Sequence, residues 1–91
     1  MIKIKLIALI IASGTGLVAV GNATINGVIY RHIQLVELSD GEFVAVFAGV
    51  DHISSDGTLH FRDNGTPPLT AADRNYIADA MALRYRFLTT R

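Results

Sequence analysis

Cysteine is missing from the 91 residues, proline occurs only twice and charged residues make up 18 % of the chain. Without cysteine there is no disulfide, no thiolate metal site and no cysteine nucleophile. Eight basic residues cancel eight acidic ones, which removes the electrostatic footprint of a nucleic-acid binder. No low-complexity tract and no internal repeat interrupts the chain, and its length excludes a second core. The expectation is one domain over residues 1–91, with no cofactor, no metal and no nucleic-acid partner.

What the chain has in excess is apolar side chains, 51 % of the total. Small domains have the most surface to cover relative to their interior, so such a surplus calls for an outlet. A membrane segment, a cleaved leader or burial against other subunits would each provide one. Residues 1–23 bear on the choice. Lys3 and Lys5 precede a mostly apolar run that ends in Gly21-Asn22-Ala23, the layout of a secretory signal. Ser13-Gly14-Thr15-Gly16 interrupts that run, and glycine costs a helix about 1 kcal/mol per residue. A bilayer span needs ~20 apolar residues, more than the run supplies; an anchor through residues 6–20 is disfavoured but stays open. The alternation of Ile2, Ile4 and Leu6 with Lys3 and Lys5 fits a half-exposed strand. The expected state of residues 1–20 is therefore strand, passing into a doubly buried strand, with the leader as alternative.

The middle of the chain reads as a three-stranded antiparallel meander over residues 28–63. Val28–Leu38 is rich in β-branched and aromatic residues, Asp40-Gly41 is a hairpin signal, Phe43–Ile53 returns, and Ser54-Ser55-Asp56-Gly57 turns into Thr58–Asp63. Taking Asp40-Gly41 as a two-residue loop sets Tyr30 opposite Asp51, His32 opposite Gly49 and Gln34 opposite Phe47. Ile53 opposite Thr58 then sets Asp51 against His60 and Gly49 against Arg62. One face would carry Tyr30, His32, Asp51, His60 and Arg62. Ile29, Ile33, Leu35, Val44, Val46, Ala48, Val50, Leu59 and Phe61 would form the core face.

Asn64–Leu69, with Pro67-Pro68, is a linker, since two prolines cannot continue a ladder. Residues 70–88 form the expected helix, with Thr70 as N-cap and Asp73 three residues on. Ala72, Tyr76, Ala80, Leu83 and Phe87 share an arc of about 80° and are expected on the sheet. Ile77, Met81 and Leu88 make a flanking strip expected to meet the N-terminal strand or another chain. The fold class that follows is α+β: an antiparallel sheet of four or five short strands with one C-terminal helix across a face.

Candidate chemistry is sparse. A carboxylate beside an imidazole orients it and raises its pKa, so Tyr30–Asp51–His60 is the one row resembling a site. It has no serine or threonine against the histidine, and a polar cross-strand pair on an exposed face describes it as well. His52 falls on the face opposite His32 and His60, which argues against a three-histidine metal site. Ser13-Gly14-Thr15-Gly16 lacks the lysine and helix of a phosphate loop. Arg84, Arg86 and Arg91 suit a helix C-terminus. The function expected is that of a non-enzymatic structural or assembly protein that buries apolar surface by self-association, in a homo-oligomer or a larger particle of virion type. An intracellular or virion-associated location goes with it. The alternative is a secreted or periplasmic ligand-binding module, made with a cleaved leader, that uses Tyr30, His32, Asp51, His60 and Arg62.

Overall fold

The apolar N-terminal stretch is built as strand. In the computed structural model, which describes residues 3–12, 14, 16–63 and 65–89, β1 (Ile4–Ile11) pairs antiparallel with β2 (Leu17–Ile25). β2 pairs with β3 (Val28–Glu37), and β3 with β4 (Phe43–Val46), giving a four-stranded sheet in the order β1-β2-β3-β4. β5 (Val50–Ile53) and β6 (Leu59–Phe61) form a separate ribbon, and α1 (Ala71–Thr89) packs on the large sheet. The architecture is α+β, antiparallel sheet plus one C-terminal helix. β1 is an edge strand rather than a doubly buried one, and it leaves Ile10 and Ile11 exposed.

Three turns set the registers. Asn26 and Gly27, both at positive φ (51° and 85°), join β2 to β3 with Ile25 facing Val28. This is the two-residue loop whose twist matches its strands. The Asn26 side chain also accepts a hydrogen bond from the Lys3 N–H at 2.8 Å, and its own N–H donates to the Lys3 carbonyl at 2.8 Å. Asp40-Gly41 does not make the expected two-residue loop. The Leu38 N–H donates to the Glu42 carbonyl (2.7 Å) and the Gly41 N–H to the Leu38 carbonyl (2.9 Å), with Gly41 at φ 86°. That is a three-residue loop closed by a glycine bulge. Gln34 consequently faces Val46 instead of Phe47.

The second loop repeats the device. The Ser54 N–H donates to the Thr58 carbonyl and the Gly57 N–H to the Ser54 carbonyl, with Gly57 at φ 85°. Ile53 faces Leu59 rather than Thr58, and it is His52 that faces His60, not Asp51. A one-residue slip turns every side chain to the other face.

Two irregularities further correct the expected meander. The return segment 43–53 breaks at Phe47-Ala48-Gly49, so β4 and β5 belong to different sheets. In β3, Arg31 and His32 together oppose Asn22, between the pairs Gly21–Ile33 and Ala23–Tyr30. His32 adopts φ 58°, and its N–H donates to the Asn22 side-chain oxygen at 3.1 Å. The extra residue brings Tyr30 and Ile33, three apart, onto the same inward face. Tyr30 therefore leaves the polar face expected for it, and Ile29, expected in the core, is half exposed.

The helix starts where expected: Thr70 Oγ1 accepts the Asp73 N–H at 3.1 Å, satisfying one of the unpaired first-turn donors. Its buried face is the opposite of the expected one. Ile77, Ala78, Met81 and Ala82 are buried, whereas Tyr76, Leu83 and Phe87 are more than half exposed. The wheel angles of the two faces differ by about 170° at 100° per residue. The sheet decides between them. Its inward surface on β2 is Ala19, Gly21, Ala23 and Ile25, a shallow trough that long unbranched Met81 fills. A Cβ at Gly21 would sit 2.7 Å from the Ala8 carbonyl oxygen, 3.0 Å from Leu9 Cδ1 and 3.4 Å from Met81 Cε. Helix and β1 close over that glycine because it has no side chain.

Candidate functional site

The expected row of Tyr30, Asp51 and His60 is not assembled. Tyr30 is a core residue, its ring 6.0 Å from that of Phe47 and 5.6 Å from that of Phe61, while Phe47 and Phe61 lie 6.2 Å apart. Its hydroxyl donates to the Pro67 carbonyl at 3.2 Å, tying the linker to the sheet. Burial, and next the negative charge of Asp73, push its phenol above the usual value of 10.0. His32 is exposed at the β3 bulge. Arg62 is exposed beside a shallow cleft of about 230 Å³ that also touches Arg31, Tyr30, Phe47 and Phe61. That volume is below the ~300–1,000 Å³ of ligand pockets.

Asp51 and His60 do enter a polar cluster on the β5–β6 ribbon, each with a different partner. Asp51 Oδ2 meets His52 Nδ1 at 2.9 Å, both side chains being well exposed. The rings of His52 and His60 stack at 4.4 Å with 7° between their planes. His60 Nε2 lies 3.0 Å from Ser54 Oγ. Ser54 is thus the serine beside a histidine that the expected register did not contain, and the three-residue turn is what brings them together.

The surroundings of Ser54 argue for turn structure rather than nucleophilic chemistry. Its hydroxyl is within reach of two pure acceptors, Asp56 Oδ1 (3.0 Å) and the Thr58 carbonyl (3.2 Å). A hydroxyl has one proton, and a carboxylate is the strongest claimant to it. His60 Nε2 is then only one of three neighbours around a single hydroxyl proton, unlike a general base placed to take that proton unopposed. Asp51, which could orient a base, is spent on His52. Asp56 also accepts the Thr58 N–H at 3.1 Å. That bond first, then the Thr58 and Ser54 side chains, holds its carboxyl below the usual carboxylate value. Among the described residues no group of three or more His, Asp or Glu side chains is placed to hold a metal ion.

The surface that stands out is the outer face of α1. Leu83 is 72 % exposed, Phe87 73 % and Tyr76 53 %. The guanidinium of Arg84 lies 5.8 Å over the Phe87 ring, and Arg84 lines an open groove with Ala80, Leu83 and Phe87. On the far side, Asp79, Leu83 and Arg86 border a groove of about 470 Å³ against the β3–β4 turn, where the Arg86 guanidinium sits 5.2 Å over Phe43. Of the strip expected to meet the N-terminal strand or another chain, Ile77 and Met81 are completely buried within the chain, Met81 beside Gly21 where β1 also closes in, and Leu88 alone is partly exposed. Both faces of the helix are apolar, so periodicity shows two stripes without ranking them. No helix among the described residues is long and apolar enough to cross a membrane. Compared with known protein families, with curated proteins and with solved structures, the chain shows no match.

Proposed function

We propose that this chain is a non-enzymatic assembly module whose contact surface is the outer face of α1. The observation that carries the reading is the row Tyr76, Ala80, Leu83, Phe87. It runs along about 16 Å of helix with its large side chains in solvent while the opposite face already fills the core. Single exposed apolar residues are ordinary, but a continuous stripe of them is a mark of protein contact. Self-association is the simplest outlet for it, and Ile10 and Ile11 on the β1 edge add to the same surplus. The polar ribbon supports the non-enzymatic part, since Ser54 is committed to Asp56 and Thr58.

Sedimentation velocity at high micromolar concentration tests this. The expected result is a species heavier than the 9.8 kDa chain that collapses to monomer in L83E/F87E while the circular-dichroism melt stays in place. A wild-type protein that sediments as a monomer throughout that range refutes the reading.

A further inference from the structure

Resting on that reading, we infer that the partner is a second copy of this chain, docked through α1 in a two-fold, antiparallel helix pair. The apolar row is bordered by four charges. At 100° per residue, with Tyr76 at zero, Asp73 and Arg84 fall at about +60° and +80°, and Asp79 and Arg86 at about −60° and −80°. Each border therefore reads acid first and arginine later along the helix. This pattern distinguishes the two ways of laying one copy on another.

In a parallel pair, opposite borders meet. Arg84 of one copy would then stand about 3 Å along the axis from Arg86 of the other, like charge against like. In an antiparallel pair, each border meets its own equivalent in the second copy, running the other way. With the apolar rows in full overlap, Tyr76 lies level with Phe87 of the second copy, and Ala80 with Leu83. Asp79 is then about 3 Å along the axis from Arg86 of the second copy, within the reach of an arginine side chain. The two-fold axis makes this contact twice. On the other border, Arg84 is drawn over its own Phe87 and is offset along the axis by about 7.5 Å from Arg84 of the second copy. The helix dipoles also oppose one another in this arrangement.

The area fits a dimer of modest affinity. The exposed parts of Tyr76, Leu83 and Phe87 amount to roughly 400 Å² per copy at about 200 Å² for a fully exposed large side chain. With the stems of the bordering residues, the pair approaches the ~1,000 Å² total that marks the lower end of specific interfaces.

Charge exchange measured by sedimentation equilibrium is the test. D79R sets arginine against Arg86 twice and is expected to weaken the dimer roughly tenfold. R86D is expected to weaken it likewise, and D79R/R86D to restore it, with all three folded by circular dichroism and the two that lack Arg86 melting somewhat lower because they give up its contact over Phe43. The second measurement uses the absence of cysteine: a Y76C chain mixed with an F87C chain is expected to give the mixed disulfide under mild oxidation, and neither chain the homodimeric one. Homodimeric cross-links, or a dimer indifferent to all three charge variants, overturn the antiparallel pair while the assembly reading stands. A protein that never dimerises overturns both.

Discussion

The β2–β3 and β5–β6 hairpins are antiparallel ribbons of the same chain, and they are held together by different forces. β2 and β3 pair over their whole lengths and bury Ala23, Ile25, Tyr30, Ile33 and Leu35 in the core. β5 and β6 pair over three or four residues and leave Asp51, His52 and Ile53 exposed. Their order comes from Leu59, which is buried and bridges to Leu69, and from the Ser54–Asp56–Thr58 turn. The difference teaches where change is tolerated. In the first hairpin the register is enforced by the core, and in the second by a turn and a few polar bonds.

Substitutions sharpen that contrast. I33A, at a fully buried core position on β3, is expected to lose about 2–5 kcal/mol in urea unfolding, and an unchanged midpoint would show that the core does not hold this hairpin. G21A comes next, at about 1–3 kcal/mol, because its new methyl meets the Ala8 carbonyl, a backbone atom with little room to move. Y30F removes the bond to the Pro67 carbonyl and is expected to cost about 0.5–1.5 kcal/mol. It should also abolish an alkaline loss of stability. Tyr30 is raised above 10.0 in the folded chain, so its contribution is complete below that pH and disappears as pH climbs through the folded value.

In the second hairpin the effects shrink. H52A removes an exposed stack and an exposed ion pair, and its melt is expected within about 0.5 kcal/mol of wild type. A larger loss would mean that the ribbon depends on the imidazoles. Asp56, which holds the turn through Ser54 and the Thr58 N–H, makes its contribution pH-dependent. Its folded pKa is depressed, so its contribution is present above the ordinary value of 3.8 and is lost as pH falls through the folded one. D56N should flatten that acid-side decline, which denaturant midpoints taken across the acid range would detect.

Much of the fold was legible in the residues. Alternation in Ile2–Leu6 announced a strand, the β-branched runs of the middle announced more, and Thr70 with Asp73 located the helix start within a residue. Asn26-Gly27 carries the same kind of local hairpin signal, and it lies just past Gly21-Asn22-Ala23, whose small residues mimic the end of a leader. Registers were harder to read. Asp-Gly serves loops of two, three and four residues alike: the three-residue loop at Asp40-Gly41 moved Gln34 from Phe47 to Val46, and the three-residue loop at Ser55-Asp56-Gly57 moved Asp51 off His60 and put His52 there. The bulge at His32 depends on the Asn22 side chain across the ladder, a contact with no local signature. Of the candidate site, Asp51 and His60 do lie on the same ribbon, but Ser54 entered only through the tighter three-residue turn, and Tyr30 was removed to the core by the bulge.

Local chemistry alone settled that this chain makes antiparallel strands followed by a capped helix, because backbone preference, turn residues and the N-cap act within a few positions. It also settled the apolar surplus, which is a matter of composition. Which stripe of the helix faces inward was decided only by the assembled sheet. Two stripes of similar hydrophobicity competed, and the one that fits the trough over Gly21 won on shape. The other was left in water, and that residue of the competition is the surface on which the proposed pairing of two chains rests.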